Sequence, residues 1–328
     1  MRIPRYWAEA QAVGKREGRA ITIRRFGWSD ANLEAAASHA QERANEALGR
    51  ALGGERLHRR DRKVAYNGAD GLPIREETLS THLNGGAIIT RNSYGAHCLN
   101  VDSVLFADVD LRPLFRLGCL AVLVGIGLGF VVAKWANLTK PWAFLTIVGV
   151  AGAAYVSVRL AQALYDRLSG GSAGRARARI RRFLRSHPDW NLRVYETPAG
   201  LRVLVMHRTF DPSADADEVQ GFFKALRTDP IYARMCTTQK CFRARLTPKP
   251  WRIGITQHMR PRPGVWPVAP ERRALRDAWV ARYEEKRKGY AACRWVSDLG
   301  GDGLDPRAVA VRDLHDRLSG ALSQDPIA

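Results

Sequence analysis

Acidic residues and cysteines are both scarce in this chain of 328 residues, and two stretches near its middle hold no charge at all. The 32 Asp and Glu face 52 Lys and Arg, so the formal net charge is +20. Two kinds of partner suit such a surplus, anionic lipid head groups and nucleic acid. The five cysteines, at positions 98, 119, 236, 241 and 293, are odd in number and irregularly spaced, which excludes a disulfide framework and favours a reducing compartment. Cys236 and Cys241, even with His97, Cys98 and Cys293, do not make the paired pattern of a zinc site, so buried, inert thiols are expected. A phosphate-binding loop of the Gly-x-x-x-x-Gly-Lys-Ser/Thr type is missing, as is a Gly-x-Ser-x-Gly elbow, and nothing supports an ATPase or a serine hydrolase. The start, Met1-Arg-Ile-Pro-Arg-Tyr-Trp7, lacks the apolar core of a secretory signal, so the segment 1–113 is expected in the cytoplasm.

What is present begins with apolar content. Hydrophobic residues make up 46% and aromatic residues 9% of the chain, enough for a packed core and against wholesale disorder. The length suggests about two domains, or one domain carrying a large insertion. Residues 117–133 are all apolar or Gly, and residues 141–158 are uncharged, with Thr146 and Ser157 as their small polar side chains. With their flanks these runs predict two membrane-spanning helices at about 114–133 and 141–161, an antiparallel hairpin filling segment 114–165. Trp135 and Trp142 sit where an interfacial aromatic belt would place them. Arg112 and Arg116 precede the first run, and Arg159, Arg167 and the series from Arg175 to Arg185 follow the second, against Lys134 and Lys140 in the loop. The positive-inside bias then puts both termini in the cytoplasm, with the basic series on anionic lipid head groups. Gly125 and Gly129 are spaced for close helix packing.

The flanks read as α+β. A strand at 21–26 leads into a helix capped by Ser29 or Asp30 and ended by Gly53-Gly54. Short apolar runs at 86–90 and 96–99 predict a hairpin, and 104–109 a third strand. Further on, the pattern predicts a basic helix at 174–186, strands at 192–196 and 201–206, a helix at 216–226, and strands at 242–246 and 252–255. A helix at 271–286 and a strand at 291–296 complete segment 166–299, and the tail 300–328 holds one amphipathic helix at about 307–318. With the membrane pair as an insertion, the order from Val104 is strand, helix, strand, strand, helix, strand, the ferredoxin-like βαββαβ arrangement.

The sharpest local feature is Leu105-Phe-Ala-Asp108-Val-Asp110, two acids on one face of a strand end, a placement that suits Mg²⁺ or Mn²⁺. The alternative is that both acids simply end the strand. In a ferredoxin-like sheet the strand carrying Arg202 and His207 lies beside them, and Glu196 is near, so Asp108, Asp110, Glu196 and His207 are the catalytic candidates. The core resembles the archaeo-eukaryotic primase superfamily, in which an apolar strand ends in Asp-x-Asp and a later strand carries Gly-x-His. That resemblance implies metal binding by Asp108 and Asp110, but Arg202 stands where the family has its phosphate-binding His. A broader resemblance is to an uncharacterised family of bacterial two-helix membrane proteins. It is carried by Arg2-Ile-Pro-Arg-Tyr-Trp7, Gly71-Leu-Pro-Ile-Arg-Glu-Glu77, Thr90-Arg-Asn-Ser-Tyr-Gly95, Leu105–Asp110 and Cys241-Phe-Arg-Ala-Arg-Leu-Thr-Pro-Lys-Pro-Trp-Arg252. It implies an inner-membrane location and names no reaction.

Arg202, Arg243, Arg245 and Lys249 are the phosphate-binding candidates, since Arg243 and Arg245 share a strand face and arginine forks suit phosphate. Arg75 and Arg91 are expected to join them in a basic pocket opposite Asp108, and Trp251 to plug the core. The leading expectation is an inner-membrane protein presenting a cytoplasmic α+β interaction module to a protein partner. The rival expectations are a metal-dependent enzyme acting on nucleotides or phosphates through Asp108 and Asp110, and an electrostatic binder of nucleic acid or lipid.

Overall fold

The computed structural model describes residues 3–61, 72–111, 118–262, 264 and 266–328. It divides into two compact units, one formed by residues 1–109 with 187–328 and the other by residues 110–186. The first apolar flank, 114–117, and part of the Gly71 signature lie outside the described residues.

The larger unit contains, in chain order, β1 (Tyr6–Arg16), β2 (Arg19–Ser29), α1 (Leu33–Leu52), β3 (Glu77–His82), β4 (Ala87–Arg91), β5 (His97–Val101) and β6 (Phe106–Asp110), whose last residue falls in the other unit. In the other unit lie α2 (Gly118–Trp135), α3 (Lys140–Leu168) and α4 (Gly171–Ser186). The larger unit resumes with β7 (Asn191–Thr197), β8 (Gly200–Val205), α5 (Ala216–Leu226), α6 (Pro230–Gln239), β9 (Phe242–Arg245), α7 (Arg273–Lys286), β10 (Arg294–Gly300) and α8 (Pro306–Ser319). The class is α+β, and the described strands form three sheets, ordered β1-β2, β3-β4-β5-β9 and β10-β7-β8-β6.

The β1–β2 hairpin turns at Glu17 and Gly18, both at positive φ, the geometry that matches the twist of antiparallel strands. Helix α1 starts one turn later than Ser29 or Asp30 would place it. Its cap is Asn32, whose side chain accepts from the Ala35 N–H. Ala36, Ala40, Ala44, Ala47 and Ala51 form one buried stripe of small side chains along it. The stripe lets the helix come so near β2 that a Cβ on Gly27 would stand 2.1 Å from the Ala40 nitrogen.

Sheet membership corrects the ferredoxin-like order in two respects, the identity of the fourth strand and its place, at the β7 edge and not beside β6. β6 lies next to β8, as that arrangement requires, and Val205 N donates to Leu105 O at 3.0 Å. The strand expected to close the sheet, 242–246, is β9, and it pairs with β5 in the other sheet instead. The fourth place beside β7 is taken by β10. The expected strand at 252–255 is also absent. Pro250 starts a 3₁₀ turn there, and Gly254 ends it at φ 78°.

In the smaller unit α2 and α3 pack closely. A Cβ on Gly125 would stand 2.6 Å from Ala151 Cα, and one on Gly129 2.6 Å from Ile147 Cα, so only glycine permits this approach. Helix α3, with 29 residues, is long and apolar enough to cross a membrane, and just 6% of its most apolar window is buried. Helix α2 contributes a shorter apolar stretch, Cys119–Trp135. Leu123, Phe130, Trp142, Phe144 and Leu145 are all exposed on this pair. Helix α4 buries Ala176, Ile180 and Phe183 and exposes Arg177, Arg181, Arg182 and Arg185, while Arg175 pairs with Asp166 at the end of α3.

Candidate functional site

Strands β6 and β8 bring Asp108 and Arg202 together. Arg202 Nε donates to Asp108 Oδ1 at 2.9 Å and its Nη2 to Oδ2 at 3.4 Å, a forked pair in which the arginine is 1% exposed. Its remaining nitrogen, Nη1, donates to the Arg245 carbonyl at 2.7 Å and lies 3.3 Å from His315 Nε2. Burial opposes the Arg202 charge, yet Asp108 and Cys293 favour it more, and its pKa is raised. Each nitrogen of Arg202 thus has a partner inside the protein and the guanidinium is buried, so it is not presented to a phosphate, which corrects its role as a phosphate ligand.

From His315 the contacts continue. His315 Nδ1 is 3.0 Å from Asp316 Oδ1, and Asp316 also accepts from Tyr195 Oη at 2.6 Å and Arg193 Nη2 at 2.8 Å. Arg193 in turn forks onto Asp298 of β10. Cys293 Sγ sits 3.9 Å from His315 Nε2. Burial raises the pKa of the thiols of Cys236 and Cys241, as it does for inert cysteines. Burial acts on Cys293 too, but His315 and Arg202 outweigh it, and its pKa is lowered. The expectation of buried thiols holds for Cys98, Cys236, Cys241 and Cys293 and fails at Cys119, which is exposed. This Cys–His–Asp set is enclosed, since Cys293 and His315 are both 0% exposed, and it serves as a brace across β6, β8, α8, β7 and β10.

The other catalytic candidates do not join Asp108. Glu196 is exposed on β7 opposite Leu201, whereas Arg202 pairs with Tyr195, so Glu196 projects from the opposite face of the strand. His207 packs at a tilt on Trp190, ring centres 4.7 Å apart, within an aromatic cluster that includes Phe210 and Phe222, and its pKa is lowered by burial and then by Arg208. Asp110 is exposed at the end of β6. Among the described residues no three His, Cys, Asp or Glu side chains are grouped to hold a metal ion. With Asp108 already forked by a guanidinium, these residues do not fit Mg²⁺ or Mn²⁺.

A cavity of about 70 Å³ opens beside Asp108, lined among others by Glu76, Tyr94, Tyr232, Arg243 and Arg245. Strand β9 supplies the two arginines on one face, as their spacing implies. Glu76, 7% exposed, accepts from Thr90 Oγ1 at 2.7 Å and pairs with Arg243. Lys249 does not line the cavity, and its ammonium lies 5.3 Å from the Trp251 ring centre. Trp251 is 53% exposed and packs its edge on Tyr94, so it is not the core plug expected. Arg75 and Arg91 are elsewhere as well. Arg75 lies over Phe26, with burial pushing its pKa down to about 10, and Arg91 binds Glu77 and Glu284.

The loop carrying Ser93 and Tyr94 is held from beneath. Arg91 Nη1 donates to Gly95 O at 3.2 Å and to Glu284 at 2.8 Å, and His97 Nε2 is 2.8 Å from the same carboxylate. Gly95 has φ 103°, and a Cβ there would stand 2.3 Å from the Trp279 ring. Burial opposes ionisation of Glu284, but His97, Arg91 and Arg287 hold its pKa well below the usual range. For a depressed carboxylate the stabilisation is present above its unfolded pKa, about 4.3, and is lost as pH falls through the folded value. Burial also lowers the His97 pKa, which adds a loss of the same sign once pH drops below about 6.5. Melting temperature should therefore decline modestly from about pH 7 to about pH 5, where His97 gains its proton, and steeply below about pH 4, and Glu284→Gln should remove the steep part in thermal melts.

Sequence pattern does not single out Tyr94, Glu76, Tyr232 or His315 as site residues, and it weighs Cys293 only as a zinc ligand. A signal existed for Tyr94 alone, in the Asn-Ser-Tyr-Gly turn between two short strands. No family model matches the chain, and no solved structure matches it. GDP-fucose protein O-fucosyltransferase 3 of Bos taurus is 36% identical over 56 residues, which cover 16% of this chain and 12% of that protein. A fragment that spans so little of either chain transfers neither fold nor activity.

Proposed function

We propose that this chain is a bacterial inner-membrane protein in which α2 and α3 form the anchoring hairpin and the larger unit is a cytoplasmic binding module. This keeps the resemblance to the bacterial two-helix membrane family as the reading of its origin. The observation that carries it is the helix pair itself. Its inner faces meet through Gly125 and Gly129, and its outer faces leave Leu123, Phe130, Phe144 and Leu145 uncovered, a surface that suits lipid tails far better than water. The 18 residues of α2 extend about 27 Å at the usual helical rise, close to the hydrocarbon thickness. The exposed arginines of α4 follow α3 directly and suit the anionic cytoplasmic leaflet. In this reading the βαββ part of the ferredoxin-like order, with the hairpin inserted after β6, frames the module. Asp108 is a structural ion-pair acceptor in it and not a Mg²⁺ or Mn²⁺ ligand.

Topology is open to a direct test because Cys119 is exposed and the other four cysteines are buried. A membrane-impermeant maleimide should label Cys119 in inside-out vesicles and not in intact cells. In a Cys119→Ser background, Asn137→Cys should show the reverse. Labelling of both sites from one side would overturn the hairpin.

A further inference from the structure

We propose that the cavity beside β9 binds one phosphate group, with Arg245 as its fork, Arg252 as a second positive charge, and Ser93 and Tyr94 at its wall.

Charge pairing around the cavity is incomplete. Of the ionised side chains around the cavity, Glu76 is matched by Arg243 and Asp108 by Arg202. Arg245, which lines the cavity, is left with no acidic partner among the described residues, and so is Arg252, which lies outside the lining. One nitrogen of each is also unsatisfied, although Arg245 shares a hydrogen bond with Tyr94. Arg245 Nε and Arg252 Nη1 are both buried, and neither has a hydrogen-bond partner among the described residues. The pKa of Arg252 is lowered by burial first and then by the like charge of Arg245, so the two guanidinium groups are near enough to repel. A buried N–H without an acceptor costs about 1–3 kcal/mol, more when charged, and an anion that accepts from both arginines removes that cost and their mutual repulsion.

Size and chemistry narrow the anion. The volume of about 70 Å³ corresponds to about five water positions, the heavy-atom count of a phosphate group and too little for a nucleoside. Burial and Cys98 raise the Tyr94 pKa, which keeps its phenol protonated as a donor. Asp108 lines the same cavity with its carboxylate 36% exposed, so it repels a dianion without a proton and accepts the O–H of hydrogen phosphate. Phosphate should consequently bind better than sulfate. The phosphate can belong to a soluble phosphomonoester or to a lipid head group, and the same groups would hold either.

The test uses the whole chain in detergent, so its outcome is independent of whether the helix pair anchors the protein. Thermal melts are compared in chloride, inorganic phosphate and sulfate at equal ionic strength and pH. Phosphate should raise the melting temperature more than sulfate, and titration calorimetry should show affinity for inorganic phosphate about tenfold or more weaker in Arg245→Met. The Arg245→Met/Arg252→Met variant should fold, because neither residue has an acidic partner, and should show no phosphate response. Arg181→Gln/Arg182→Gln on α4 should respond as the parent does. In nanodiscs containing phosphatidic acid, loss of the response to added phosphate identifies a lipid head group, and its persistence identifies a soluble phosphomonoester. Equal responses to phosphate and sulfate, or a response that survives the double arginine variant, overturn the proposal.

Discussion

Asp108→Asn should destabilise the larger unit by about 3–5 kcal/mol, the cost of leaving one member of a buried ion pair uncompensated. The asymmetry of the pair sets which variant suffers more. Arg202 has a side chain 2% exposed, while that of Asp108 is 36% exposed. Without the carboxylate, the guanidinium stays buried with its charge unmatched. Without the guanidinium, in Arg202→Met, the carboxylate can still be hydrated from the cavity and methionine fills much of the vacated volume. Arg202→Met should thus cost less than Asp108→Asn, and the double variant should recover most of the difference. Tryptophan fluorescence during thermal unfolding of the detergent-solubilised chain gives the ranking. A larger loss in Arg202→Met, or Mn²⁺ binding by the parent that Asp108→Asn abolishes, would return Asp108 to the role of a metal ligand.

Substituting leucine for Gly125 or Gly129 should cost about 1–3 kcal/mol at each site, because overpacking forces the helices apart. At both positions a Cβ alone would stand 2.6 Å from a backbone carbon of α3, inside any normal contact, and backbone cannot swing aside as a side chain can. Gly127 is the matched control. It lies on the same helix, and a Cβ there meets nothing within 4 Å. Gly127→Leu should melt with the parent, whereas Gly125→Leu/Gly129→Leu should melt several degrees lower and become sensitive to protease in the 134–140 loop. Equal behaviour of all three positions would mean that α2 and α3 do not pack as described.

The sequence made the apolar helices, α1, α8 and the β7–β8 hairpin legible because each has either a long uncharged run or a regular period ended by Gly. β1 and β3 were hidden for the opposite reason. Apart from Trp7, the buried positions of β1 are small, and β3, Glu-Thr-Leu-Ser-Thr-His, offers one aliphatic side chain to mark a period. Helix α6 carried a cap that pattern reading passed over, Asp229 before Pro230, whose carboxylate accepts from Ile231 N. At the site, the nearness of Arg202 to Asp108 followed from placing β8 beside β6, a topological inference that strand order supports. What no local pattern reveals is the rest of the brace. Arg202 and His315 are 113 positions apart, and Tyr195 and Asp316 are 121. Their meeting depends on α8 packing on the sheet, which is a property of the whole fold. Trp251 misled for a related reason, since a tryptophan between Pro250 and Arg252 reads as core filling until the 3₁₀ turn at 250–253 carries it to the surface.

The central claim, that α2 and α3 hold this protein in a bilayer, is tested most directly by alkaline carbonate extraction followed by flotation of membranes from cells expressing the whole chain. The account predicts that the protein floats with the lipid after the carbonate wash, and that replacing Leu123, Phe130, Phe144 and Leu145 together with arginine releases it. Recovery of the unaltered chain in the carbonate supernatant would contradict the anchor and leave those exposed apolar faces as a protein interface.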